Sequence, residues 1–297
     1  MLQKIIKISR PRFWIYLLGP FLFGSAAAYN KTLSLDLFTH PAFWIFLFIF
    51  LIFGNYFIYG INDYYDFDTD QHNAKKDELT GKEYRLAPED KSWLKYSVYT
   101  VWVFAFFGVY YIWQQGVANP NIWLAIAVWV SFWFIGYAYS TPPIRFKARR
   151  LVDSLSNGYY AFPGLFIYIF LTGESVSWEV FFAVILWNAG MHFYSAIPDI
   201  QADTKAGLNT SAMFFGFRKS LFVSSLVWLA SLVLILLSMS FTGNAMLVIV
   251  AIGLVYVFLP LFSLSSKPKY AIEKLYWYFP YINLISGFIL FWLIVTR

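Results

Sequence analysis

The chain of 297 residues contains no cysteine, which excludes disulfides, thiolate metal sites and a cysteine nucleophile. Charge is scarce too: Asp, Glu, Lys and Arg together make up 13% of residues, and histidine occurs three times. A soluble domain carries about a quarter charged residues, so an ordinary solvated surface is excluded. Period-two alternation is also missing, and with it a transmembrane barrel. What is abundant is apolar surface, with 60% hydrophobic and 23% aromatic residues.

The apolar residues fall in blocks about as long as the roughly 20 residues that cross a hydrocarbon core as a helix. They predict an all-α polytopic membrane protein with nine transmembrane helices: Phe13 to Tyr29, Pro41 to Ile61, Ser97 to Trp113, Asn121 to Tyr139, Ser154 to Leu171, Trp178 to Ile197, Lys219 to Ser238, Ala245 to Phe262 and Trp277 to Val295. The basic start, the apolar stretch and "SAAA" at 25 to 28 also fit a cleaved leader. Gly19 and Pro20 inside the run, and the many spans that follow, favour a retained first helix.

Lys and Arg set the orientation, because positively charged loops stay on the cytoplasmic side. The N-terminus and the loops after spans 2, 4, 6 and 8 hold twenty of them, and the opposite side holds Lys31 and Arg297 only. The N-terminus is therefore expected in the cytoplasm and the C-terminus outside. On this reading the net charge of +6 records topology and no nucleic-acid partner. No organellar targeting segment is apparent, so a bacterial inner membrane is the expected location.

Four of the sixteen acidic residues crowd into "NDYYDFDTD", residues 62 to 70, at the end of span 2. On a continuing helix Asp63, Asp66 and Asp70 stand at i, i+3 and i+7, within one sector, while Asp68 points elsewhere. A second pair, Asp199 and Asp203 in "PDIQAD", ends span 6 at i and i+4. Each cluster follows the second span of a set of four, which suggests one domain built from duplicated spans 1 to 4 and 5 to 8 with span 9 added. Carboxylates stacked near a low-dielectric core repel one another. Mg²⁺ takes one or two carboxylates per ion and fills its other positions with water and substrate phosphates, so two such helix ends suit a diphosphate held through metal ions. The plain alternative is a pair of solvated helix ends, which the matched positions argue against.

The loop "YSTPPIRFKARR" places Arg145 and Lys147 after paired prolines on the same side. Topology alone accounts for Arg149 and Arg150, and on spacing alone it also serves for Arg145 and Lys147. On span 6 Asn188, His192, Ser195 and Asp199 form a polar stripe, with Asn55, Tyr59, Asn62 and Asp66 as a looser counterpart on span 2. Such stripes line an interior pocket or act as interhelical hydrogen-bonding glue.

Taken in order, these motifs resemble the UbiA superfamily of intramembrane prenyltransferases. Its N-D-x-x-D-x-x-x-D motif is matched at Asn62, Asp63, Asp66 and Asp70, its D-x-x-x-D motif at Asp199 and Asp203, and its Y-S-x-P-P-x-R-x-K loop at Tyr139, Pro142, Pro143, Arg145 and Lys147. The resemblance implies transfer of an allylic prenyl group from its diphosphate to a lipophilic acceptor drawn from the bilayer. It implies Mg²⁺ at the five aspartates, diphosphate contacts from Asn62, Tyr139, Arg145 and Lys147, and catalytic roles for Asn62, Asp66 and Asp199. Asn55, Asn188, His192 and Ser195 would line the acceptor or prenyl chain. An R-P-x-x-x-G type segment of quinone-directed and haem-directed members is replaced here by "NAKKDELTGKEYRLAPED", and together with "SAIPDIQADTKAGLNTSA" this loop resembles the lycopene elongase branch. A quinone-precursor acceptor is the alternative within the family. A transporter is the rival from another class, and it would need ionisable groups deep in the bilayer. The loop from Gln71 to Lys95 is a candidate lid.

Overall fold

A computed structural model describes residues 2–32, 36–70, 84–116, 118–205, 207–238, 243–265 and 268–296. Every regular element among these residues is helical. Seven helices are long and apolar enough to cross a membrane: Pro41–Tyr65, Pro88–Gln115, Ile122–Ser140, Trp178–Asp199, Ser211–Ser238, Gly243–Leu264 and Trp277–Val295. The nine expected spans therefore become seven by that criterion among the described residues. The expected first span is present as the helix Ile15–Thr32, with Pro20 inside it. The expected fifth span is not one helix: it divides into Val152–Ser156, a 3₁₀ segment Asn157–Ala161 and a helix Phe162–Thr172.

The chain forms two compact units, Met1–Arg145 with Phe162–Ser175, and Phe146–Ala161 with Val176–Arg297. The helix Phe162–Thr172, expected to open the second set of four, thus belongs to the first unit. Its partner there is Ile15–Thr32. A Cβ on Gly24 would come within 2.0 Å of the Gly164 carbonyl oxygen, and one on Gly164 within 2.2 Å of the Pro20 oxygen. The two backbones touch, as small residues allow where lipid offers no hydrophobic drive between helices. Around this contact the first unit is filled by aromatic rings meeting edge to face, such as Phe46 with Phe166 at 4.6 Å and Phe50 with Phe132 at 5.0 Å. The buried Trp129 indole donates to the Ala105 carbonyl at 2.9 Å.

Within the helix Pro41–Tyr65 the stretch Ile49–Gly54 is a π-helical turn. Such a turn loosens backbone carbonyls that lipid cannot satisfy. Asn55 answers this by donating Nδ2 to the Leu51 carbonyl at 2.8 Å.

In the second unit Trp178–Asp199 packs along Ser211–Ser238. The Trp228 indole donates to the Trp187 carbonyl at 3.0 Å, and Ser231 Oγ donates to the Ala183 carbonyl at 2.7 Å. The break in the expected fifth span has a polar cause. Asp153 is fully buried, and its carboxylate accepts the Ser211 N–H at 2.8 Å and the Ser211 hydroxyl. Asn157 Nδ2 donates to the Asp153 carbonyl at 2.7 Å. Pro163, just after the 3₁₀ segment, has no backbone N–H to donate.

The backbone contact between the first and fifth spans yields a stability test. Gly164→Ala is expected to lower the stability of the detergent-solubilised protein by roughly 1–3 kcal/mol, the range for overpacking a core. Gly19→Ala, which meets nothing within 4 Å, serves as the neutral comparison in the same thermal unfolding series.

Candidate active site

The first acidic cluster sits where its helix stops. Helical geometry runs to Tyr65, Asp66 takes φ −98° and ψ 5°, and a short helix Phe67–Asp70 follows. The expected uninterrupted face through Asp63, Asp66 and Asp70 is therefore broken at its middle member, although the Asp70 N–H still donates to the Asp66 carbonyl at 2.8 Å. Asp66 is half-buried. Asn62, one turn earlier, donates Nδ2 to Asp66 Oδ2 at 2.8 Å and also reaches Ser140 Oγ at 3.3 Å. Arg145 brings Nη2 to 3.4 Å from Asp66 Oδ1. To do so its backbone takes φ 43°, a left-handed conformation that costs a non-glycine residue about 1–3 kcal/mol. Three residues expected at the diphosphate site, Asn62, Asp66 and Arg145, are thus brought together.

Asp63 is placed differently. It is fully buried and paired with Arg10, Nη2 to Oδ1 at 2.6 Å. Asp70 is buried, and Tyr139 is half-buried at the end of the helix Ile122–Ser140. Asn55 is wholly enclosed, and among the described residues its Oδ1 accepts no hydrogen bond. Of the candidate lid, residues 71–83 lie outside the described residues, and Pro88–Asp90 already begins the next helix.

The second unit holds the other expected residues. Asp199 closes a 3₁₀ turn, Ile197–Asp199, with Pro198 inside it, and Asp203 lies in the helix Ile200–Lys205 that follows. The i, i+4 pair expected on one helix therefore spans a change of helix type. Asp203 Oδ2 accepts from Thr210 Oγ1 at 3.3 Å. Lys147 is buried within the 3₁₀ turn Phe146–Ala148. On the polar stripe, Asn188 donates to the Val184 carbonyl at 2.8 Å and Ser195 to the His192 carbonyl at 3.3 Å, both returning to their own helix. His192 reaches another element, with Nδ1 3.0 Å from Ser154 Oγ.

Sequence reasoning missed Arg10, Ser140, Asp153, Ser154 and Ser211. Arg10 counted there only as one of the positive charges that set topology. Asp153 stood at the start of an apolar run with no motif around it.

Oxygen donors are what a hard divalent cation requires. Among the described residues no three His, Asp or Glu side chains gather into a complete cage.

The chain is 33% identical over 295 residues to a lycopene elongase/hydratase of Haloarcula japonica, covering 97% of this chain and 90% of the relative. It is 32% identical to the lycopene elongase/hydratase of Halobacterium salinarum, covering 97% and 96%. A homogentisate phytyltransferase of Synechocystis is 25% identical over 77% of this chain and 73% of its own. In fold, the chain resembles a UbiA homologue of Archaeoglobus fulgidus solved with GPP and Mg²⁺, with TM-score 0.61, 21% identity and coverage of 99% and 100%. It also resembles a digeranylgeranylglyceryl phosphate synthase structure, with TM-score 0.69, 15% identity and coverage of 100% and 99%. The model of the UbiA prenyltransferase family matches residues 17–293, and the chain belongs to that family.

Proposed function

We propose that this member of the prenyltransferase family transfers an allylic prenyl group from its diphosphate to a polyene acceptor of the lycopene type, at the cytoplasmic face of a prokaryotic cell membrane. The observation that carries the chemistry is the half-buried Asp66 carboxylate, oriented by Asn62 and flanked by the Arg145 guanidinium. Support for the acceptor comes from the lycopene elongase/hydratases that align along nearly the whole chain.

In this reading Asp66 and Asp70 of the first cluster, with Asp199 and Asp203 of the second, are the carboxylates that would hold Mg²⁺. The ordered motifs support assigning both clusters to one reaction. The bound metal supplies charge neutralisation for the departing diphosphate. Asn62 holds Asp66 Oδ2 and so sets the orientation of the carboxylate. Arg145 places positive charge where the leaving oxygen gains its electron pair, an effect strongest in a site that excludes water. The C–O bond breaks with its electrons leaving on the diphosphate. A double bond of the acceptor then supplies the pair for the new C–C bond, and the resulting cation is quenched by loss of a proton or by addition of water. Tyr139, at the end of the helix Ile122–Ser140, is the aromatic residue that would face the allylic cation.

Asp66→Asn and Asp199→Asn are each expected to lower Mg²⁺-dependent diphosphate release from an allylic diphosphate by about 100-fold or more. EDTA is expected to abolish release in the wild type. Unchanged release in both variants would remove the catalytic reading, and solute uptake indifferent to them would favour a transporter.

Expression in lycopene-accumulating cells tests the acceptor separately. Mass spectrometry is expected to find carotenoids heavier by prenyl units, and prenylation of a quinone precursor alone would contradict the acceptor while leaving the transfer chemistry in place.

A further inference from the structure

The N-terminal helix Leu2–Ile8 leads into Arg10, whose backbone is left-handed at φ 50° and ψ 73°. A non-glycine residue keeps that conformation where surrounding contacts hold it. Here the contacts are specific. Arg10 Nη2 donates to Asp63 Oδ1 at 2.6 Å, and Cζ lies 4.8 Å from the centroid of the Tyr59 ring, one turn before Asp63 on the same helix. The side chains are 12% and 0% exposed respectively.

A second ion pair holds the same short helix. Lys4 Nζ donates to both oxygens of Asp90, at 2.6 and 2.8 Å, where the helix Pro88–Gln115 begins. The hydrogen bond to Asp90 raises the Lys4 pKa above its ordinary value. Between the two ion pairs Ile8 is fully buried. A Cβ on Gly60 would stand 3.6 Å from Ile8 Cγ2 and 2.5 Å from Val98 Cγ2, so the three elements meet at that glycine.

A buried carboxylate already balanced by a guanidinium is a poor ligand for a second cation, because freeing it leaves an uncompensated buried charge. Asp66, less than one turn further on, is held more loosely: its side chain is 13% exposed, and its guanidinium neighbour stands at 3.4 Å and is itself 29% exposed. We infer that Asp63 stands outside the metal-binding set and is a positioning residue: with Arg10 it clamps the N-terminal helix to the end of Pro41–Tyr65 and so fixes where Asp66, Asn62 and Arg145 stand. The inference rests on the reading of Asp66 as a diphosphate-site carboxylate.

The test uses the full chain in detergent with Asp63→Asn, Arg10→Gln and the double variant. Without Mg²⁺ or substrate, each single change is expected to lower the unfolding midpoint, and the double to lower it no further than the larger single. In diphosphate release, both singles are expected to lose activity by about tenfold or more through misplacement, with the same shift in the Mg²⁺ concentration for half-maximal rate. A shift about tenfold greater in Asp63→Asn than in Arg10→Gln would make Asp63 a ligand and overturn the inference, as would additive losses of stability. If Asp63→Asn does not fold, Asp63→Glu and Tyr59→Leu carry the same comparison against Arg10→Gln. Should the wild type release no diphosphate, the functional reading fails, while the metal-free stability cycle still decides the clamp.

Discussion

A carboxylate at the edge of a hydrocarbon layer must be partnered, because desolvating an unpaired charge costs more than a helix end can return. Asp63 takes Arg10, and Asp153 takes the backbone and hydroxyl of Ser211. These two are enclosed and serve as joints between segments distant in sequence. Asp66 differs in degree and therefore in use. Its amide partner leaves it half-buried, and its guanidinium neighbour stands at 3.4 Å. A group so held keeps the capacity to meet a ligand.

The same constraint shapes the backbone. Within a bilayer, irregular backbone is tolerated where side chains satisfy the groups it frees. The π-helical turn before Asn55, the helix stop at Asp66, the 3₁₀ turn ending on Asp199 and the broken span around Asp153 each carry a polar side chain at the interruption. Asn55 donates back to its own helix at Leu51, whereas Asp153 accepts from Ser211 in a distant segment. At Asp66 and Asp199 the interruption instead sets a carboxylate at the end of a long apolar helix, the position a diphosphate headgroup would reach from the membrane surface.

The long apolar runs and the two acidic motifs were legible in the sequence because each is a local pattern: run length reports a span, and spacing reports a shared sector. The fifth span divides where no local pattern marked it, and Ser211, the partner of its buried Asp153, lies 58 residues further along the chain. The single face drawn through Asp63, Asp66 and Asp70 assumed regular dihedrals that Asp66 does not keep. Arg10 could not be read as a site residue, since charge counting for topology treats every N-terminal cation alike. Its distinction is a tertiary contact across 53 positions. The polar stripe on Trp178–Asp199 shows the same limit. Asn188 and Ser195 make hydrogen bonds within their own helix, and only a folded structure sets His192 beside Ser154.

The account turns on a divalent ion recruited jointly by diphosphate and by carboxylates at interrupted helix ends. Electron paramagnetic resonance of Mn²⁺, used in place of Mg²⁺, reads this directly through loss of the free-ion signal. Tight Mn²⁺ uptake by the wild type is expected only when inorganic diphosphate is present, and not in Asp66→Asn. Uptake that ignores diphosphate, or that survives intact in Asp66→Asn, would contradict it.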